Sequence, residues 1–249
     1  MLDYGLDLSG LERDLALPDL VAEGDELDAL VSAQTDWSLP TPAAGWTIAH
    51  QIAHLAAADA NVLVAIRTPD AFDAGGQNAD LVAAEGAARP RSALLEEWRA
   101  GRAEVAAALC DIALDRGFPW YGSQLTATLM VPLRLMETWA HGQDVFDTLG
   151  VPHRATSRLR HVASLGVTGR ELSFFAAQLP PLTEPFRIEL AGPDGQTWVW
   201  GPEDAAQRVR GSALDFCLRV THRRSLAETG LTAVGEDAQK WLEIARVFL

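Results

Sequence analysis

The sequence has almost no lysine: Lys240 is the single lysine among 20 basic residues, and the others are arginine. We read that bias as the mark of a GC-rich genome, not of a function. Positive charge is also short overall, with 34 acidic residues against 20 basic ones and a net charge of −14. Such a chain repels phosphate backbones and anionic membranes, which argues against general nucleic-acid binding. Cysteine is scarce too. Cys110 and Cys217 are too few for a disulfide framework, and they suit a reducing cytoplasm. No apolar run of about 18 residues occurs, so no segment is expected to span a membrane. Met1, Leu2 and Asp3 lack the basic start and apolar stretch of a secretory signal.

What is present describes a globular protein. Apolar residues make up 48% and charged residues 22%, too apolar for a disordered chain. A length of 249 residues can bury a core without disulfides or a structural metal. Up to about residue 180, alanine and leucine dominate and β-branched runs are rare, which predicts helices. A first helix is expected over about 11–35, with Leu20, Leu27 and Val31 on one face. A second runs from an N-cap at Thr47 to about Ile66, with Ile48, Ile52, Leu55, Val62 and Ile66 as its apolar stripe. Residues 68–90, rich in Gly, Asp and Ala, read as a long connection. Ser92 is the expected N-cap of a third helix reaching Asp115, and Gly117–Gly122 reads as an aromatic turn. Pro132 suits the first turn of a fourth helix ending at Leu149, with room for a helical piece before it. A further helical stretch spans about 156–179 and stops at Pro180 and Pro181.

There the composition changes. Phe186–Leu190 and Gln196–Trp200 are β-rich, and Gly192, Pro193, Asp194 and Gly195 lie between them as turn residues, which predicts a hairpin. Helices follow over about 212–223 and 236–248. The fold class is therefore mainly α: a helical bundle over 1–182, then a small α+β domain over 183–249 that would close over the bundle's mouth.

Chemistry gathers on the fourth helix. Glu137 and His141 are four residues apart and share a face, so they can grip one metal ion; Asp144 continues the stripe. The plainer alternative is a solvated acid–His pair. The second helix adds His50 and His54, again four apart. Alone, each would pass for a core-edge histidine bonded to a backbone carbonyl. Bundles, however, commonly build metal sites from facing helices, and one His with Glu137 and His141 makes three N/O ligands with an open position, the pattern of a catalytic site. Other signatures are missing. Gly75 and Gly76 start no phosphate loop, and Gln51 stands where a zinc-protease motif needs Glu. Cys110 and Cys217 sit among apolar neighbours and are expected in helix cores. Trp120 and Tyr121 precede the metal-bearing helix and are candidates to line its mouth. Arg219, Arg223 and Arg224 form a compact basic cluster, either a helix-end complement to the dipole or a clamp for a substrate anion.

Two stretches carry a resemblance: Trp46–Leu55, with His50 and His54, and Arg134–Asp144, with Glu137 and His141. Together they resemble the metal-binding domain of mycothiol-dependent maleylpyruvate isomerases, a DinB-like four-helix bundle. Ala213–Cys217 through Trp241–Ala245 resembles the accompanying sterol-carrier-like α+β domain. The resemblance implies an actinobacterial source and a divalent metal, zinc first, held by His54, Glu137 and His141. Asp144 or His50 would orient a ligand. It also implies mycothiol as a thiol cosubstrate that attacks a small electrophilic substrate, in a transferase or isomerase reaction. Neither nucleic acid nor membrane is an expected partner. A metal-dependent hydrolase and a non-enzymatic binding module stand as rivals.

Overall fold

A computed structural model describes residues 13–247, apart from Gln77 and Gly122. The chain divides into two compact units, one over Glu12–His153 and one built on Arg154–Leu249. The protein is mainly α, with nine α-helices and two small sheets among the described residues.

The first unit is a helical bundle. Its long helices are α1 (Arg13–Ala33), α2 (Ile48–Arg67), α4 (Arg91–Asp111) and α5 (Ala127–Leu149), and the short α3 is Ala79–Ala87. The stripe expected on α2 is the one it buries: Ile48, Ile52, Leu55, Val62 and Ile66. Around it, Leu27, Val31, Leu94, Trp98 and Val145 complete one end of the core. Val105, Leu109, Phe118, Met130 and Val131 complete the other.

Four local expectations need correction. The connection over 68–90 contains α3, whose N-cap Asn78 accepts from the N–H groups of Asp80 and Leu81. Its Gly86 lies so close to Ala53 of α2 that a Cβ there would stand 2.6 Å from the Ala53 Cβ. The aromatic turn is a hairpin, β1 (Gly117–Trp120) against β2 (Ser123–Thr126), with Phe118 opposite Leu125. Helix α5 runs unbroken from Ala127, with Pro132 inside it. Cys110 is exposed instead of buried, because it follows the core residue Leu109 and is rotated about 100° from it.

A charged clamp ties α1 to α4. Arg99 donates through Nε and Nη2 to both carboxylate oxygens of Asp28 (2.8 and 2.6 Å), and Arg102 adds a third bond at 3.0 Å.

The second unit holds α6 (Leu159–Thr168), α7 (Arg170–Ala176), α8 (Ala213–Val220) and α9 (Glu236–Ile244) with a four-stranded sheet. The strands are β3 (Phe186–Ala191), β4 (Thr197–Trp200), β5 (Gln207–Ser212) and β6 (Thr232–Val234), in the order β4-β3-β5-β6. The expected hairpin is present, with Leu190 opposite Trp198, and β5 lies parallel to β3. A boundary drawn at 182 from composition falls at 153/154 by packing. The reason is α6. Its Leu159, Val162 and Leu165 are buried, and its Gly166 lets α8 approach: a Cβ there would meet Phe216 at 2.9 Å. Cys217 is buried as expected, its thiol directed at the Leu159 carbonyl (3.4 Å).

Arg219 is a staple. Nε, Nη2 and Nη1 donate to the carbonyls of Leu242, Glu243 and Ala245 at 2.9, 2.5 and 3.4 Å, groups that the end of α9 leaves without helical partners. Arg219→Ala is expected to cost about 2 kcal/mol in chemical denaturation, because buried carbonyls lose their donor. Arg219→Lys should not restore it, since one ammonium cannot reproduce the fork.

Arg99 and its neighbours hold the Asp28 carboxyl down from 3.8 to about 2. A depressed carboxylate stabilises the fold above its unfolded pKa, and that contribution is lost as pH falls from about 4 to about 2. Asp28→Asn should therefore cost about 1–2 kcal/mol at pH 7, after allowing for solvent screening, and only a small part of that at pH 2. Equal losses at both pH values would show that the clamp does not act through charge.

Candidate metal centre

Two helices bring three ligand atoms together. His54 Nε2 and His141 Nε2 each lie 3.3 Å from the same oxygen, Oε2 of Glu137. The two imidazole centroids are 4.4 Å apart. Glu137 and His141 meet because they are one turn apart on α5, and His54 faces them from α2. Ligands about 2.0–2.1 Å from a tetrahedral ion stand about 3.3 Å from one another, so the spacing fits one ion.

The hydrogen bonds behind the triad fix the orientation of His141. Gln51 Oε1 accepts from His141 Nδ1 at 2.6 Å, and Gln51 Nε2 donates to Thr41 Oγ1 at 2.9 Å, which sets the amide's orientation. With a proton on Nδ1, neutral His141 carries its lone pair on Nε2, aimed at the Glu137 oxygen. Two imidazole nitrogens and a carboxylate oxygen converge, so positive charge must lie among them, as protons or as one divalent cation. Burial works against the charged form of Glu137. The hydrogen bonds and charges of His141 and His54 outweigh it and hold the carboxyl well below its usual range.

Trp46 covers one side of the site. Its ring lies 5.4 Å from His54 and stacks on His141 at 5.8 Å. Its indole N–H donates to Asp80 Oδ1 on α3 at 2.8 Å. The triad side chains keep 14–23% of their surface exposed, enough to admit an ion and a ligand. A second group, Glu23, Glu26 and His153, also gathers, but the His153 and Glu23 side chains are only 2% and 3% exposed, so nothing can reach them.

The sequence profile of the mycothiol maleylpyruvate isomerase N-terminal domain matches residues 20–146, a little over half of the chain. The protein belongs to this family. A wyosine base formation profile matches residues 182–234. Two Mycobacterium tuberculosis relatives, the uncharacterized proteins MT0041 and Rv0036c, are each 49% identical over 240 residues, covering 92% of this chain and 93% of theirs. Crystal structures of the mycothiol-dependent maleylpyruvate isomerase, one of them a point mutant, superpose with a TM-score of 0.65. They cover 89% of this chain and 92% of the isomerase at 15% and 14% identity, a likeness of fold. The isomerase fold is thus the fold of this chain.

Within that fold, the residues singled out by sequence scatter. His54, Glu137 and His141 meet. His50 does not orient them: its Nδ1 faces the Thr47 N–H (3.3 Å) and Oγ1 (2.8 Å), so it caps α2. Asp144 is buried one turn beyond His141. Tyr121 accepts from Asn61 Nδ2 at 3.0 Å and packs with Trp120 and Phe72, two turns along α2 from His54. The three arginines form no open clamp. Arg219 serves α9, while Arg223 and Arg224 donate to the carbonyls of Thr221 and Arg223 (2.8 Å each). Gln51 and Trp46 were not singled out, although both stand in the Trp46–Leu55 stretch.

Gln51→Leu keeps the volume and removes the acceptor. It is expected to lower zinc affinity about 10- to 100-fold in a chelator competition, with helicity unchanged. Unchanged affinity would mean that Gln51 does not orient His141.

Proposed function

We propose that this protein is a metal-dependent thiol transferase or isomerase that uses a low-molecular-weight thiol, mycothiol by kinship, against a small electrophilic carbon. The convergence of His54, Glu137 and His141 on one point, within a family named for a mycothiol-dependent isomerase, carries the reading. His54, Glu137 and His141 would hold one divalent ion, zinc by the donor set of two imidazoles and a carboxylate. Such an ion, when bound, supplies Lewis acidity that favours a thiolate at neutral pH. Gln51 keeps the His141 lone pair directed inward, and Trp46 excludes water from one side of the triad.

The chain's own sulfurs are poor nucleophiles for this site. Burial pushes the Cys217 thiol up, far from thiolate formation at neutral pH, and Cys110 stands exposed near the end of α4. The attacking sulfur therefore arrives on the cosubstrate. It forms a bond to the electrophilic carbon. In an isomerase that bond later breaks and the thiol is regenerated; in a transferase it persists and a leaving group departs with the displaced electron pair. A reducing cytoplasm is the proposed setting, and no helix among the described residues is long and apolar enough to cross a membrane.

Purified protein is expected to carry about one divalent ion per chain. His54→Ala and His141→Ala should lose it together with activity, and Glu137→Gln should weaken it by removing charge while keeping shape. Stoichiometric metal in both histidine variants would sink the assignment. Turnover of esters or amides with no thiol requirement would favour the hydrolase instead.

A further inference from the structure

Where the start of α2, the end of α3 and the start of α4 meet, they border an open cavity of about 420 Å³. That size falls within the range of small-molecule sites, and a dry apolar hole of about 150 Å³ already takes a benzene. Trp37, Ala49, Ala87 and Leu94 give it an apolar wall. No triad residue lines it, and neither does any of the chain's 34 acidic residues. Its charged residues are Arg89 and Arg91. Arg89 is engaged by Glu97, which stands outside the lining. Arg91 lies over the Trp37 ring at 5.7 Å and gives Nη1 to the Gln34 carbonyl at 2.8 Å. Its Nε and Nη2 are left without partners among the described residues. Arg91 is also the first residue of α4, which has no side-chain cap and no acid in its first turn, so the positive helix end adds to the guanidinium. His50 supplies a further donor. Its Nδ1 accepts the Thr47 N–H at 3.3 Å, so the neutral ring carries its proton on Nε2. Nε2 has no partner among the described residues and is not sealed from solvent. Capping α2 uses Nδ1 alone and does not account for a free donor on a cavity wall.

We propose that this cavity is a binding site, separate from the metal centre, for a small carboxylate with a compact apolar body. The body takes the place of water against Trp37, Ala87 and Leu94. The carboxylate is met by the free arm of Arg91, which can offer it two parallel bonds, with the His50 Nε2–H as a further donor. A charge without an apolar body, or an apolar body without a charge, uses half of the site. The location gives an occupant a bearing on the triad. His50 lies 6.3 Å from Trp46, and Trp46 stacks on His141, so one ring separates a residue of this cavity from a metal ligand. The site does not depend on the thiol reading, because no triad residue takes part in it.

Chemical-shift titration of the zinc-loaded full chain tests it, read at the Trp37 indole and the His50 ring, with benzoate, benzyl alcohol and acetate as probes. Benzoate is expected to shift both signals to saturation and to bind about tenfold more tightly than either of the other two. Ala87→Phe fills the cavity and Arg91→Gln removes its free charge. Each should weaken benzoate about tenfold with zinc content unchanged. A benzoate held by the zinc ion instead would keep its affinity in both variants, and that result overturns the site. So does acetate or benzyl alcohol binding as tightly as benzoate, or a Trp37 signal that does not move. If Ala87→Phe fails to fold, Arg91→Gln, at an exposed position, decides alone.

Discussion

One oxygen organises the centre of the bundle. Glu137 Oε2 receives His54 from α2 and His141 from its own helix, each at 3.3 Å. A carboxylate in a largely buried seam is costly unless neighbours compensate it. The compensation here comes from imidazoles that are themselves fixed from behind. Gln51 holds His141, Thr41 holds Gln51, and Trp46 lies against both rings. The packing of α2 on α5 and the geometry of the site are therefore one constraint. Moving either helix by an ångström would separate the three ligand atoms.

The same constraint explains which parts of the site were legible beforehand. Glu137 and His141 lie on one helix, so helical periodicity alone places them together. His54 required the further inference that α2 faces α5, as in other bundles, and its choice over His50 came from the family resemblance alone. Gln51 was hidden, because its role depends on a hydrogen bond across helices and its place in the sequence resembles a failed zinc-protease motif. Trp46 depends on Asp80, and Asp80 lies on α3, a helix with no strong apolar stripe in a stretch of Gly, Asp and Ala. Its stability comes from the Asn78 cap and from close packing on Ala53, neither of which periodicity reports.

Fold class was legible from composition and spacing, while partition and exposure were not. The break in composition near 180 is real, but packing draws the boundary where apolar faces choose partners. Leu159, Val162 and Leu165 give α6 a strongly one-sided face, and α8 receives it. Cys110 shows the same limit at the scale of one residue. Apolar neighbours in sequence do not share a helix face, so the thiol beside buried Leu109 is exposed. The arginine cluster shows it for charge: three basic residues within six positions look like an anion clamp until Arg219 is seen to serve three carbonyls.

Net charge sets a last condition on the chemistry. A chain at −14 concentrates cations and repels anions over its surface. That favours occupation of the triad by a dication and disfavours an anionic substrate over most of that surface. With one carboxylate among three ligands, a dication would leave the centre with about one positive charge, a local reversal of the protein's field. Asp59 and Arg134, a buried pair between α2 and α5, cancel each other and do not disturb that reversal. A thiol losing its proton at the triad would therefore become an anion at a point of the bundle where the surrounding groups favour one. The acidic surface that argues against nucleic acid at the outset then sharpens the contrast between that point and the rest of the protein.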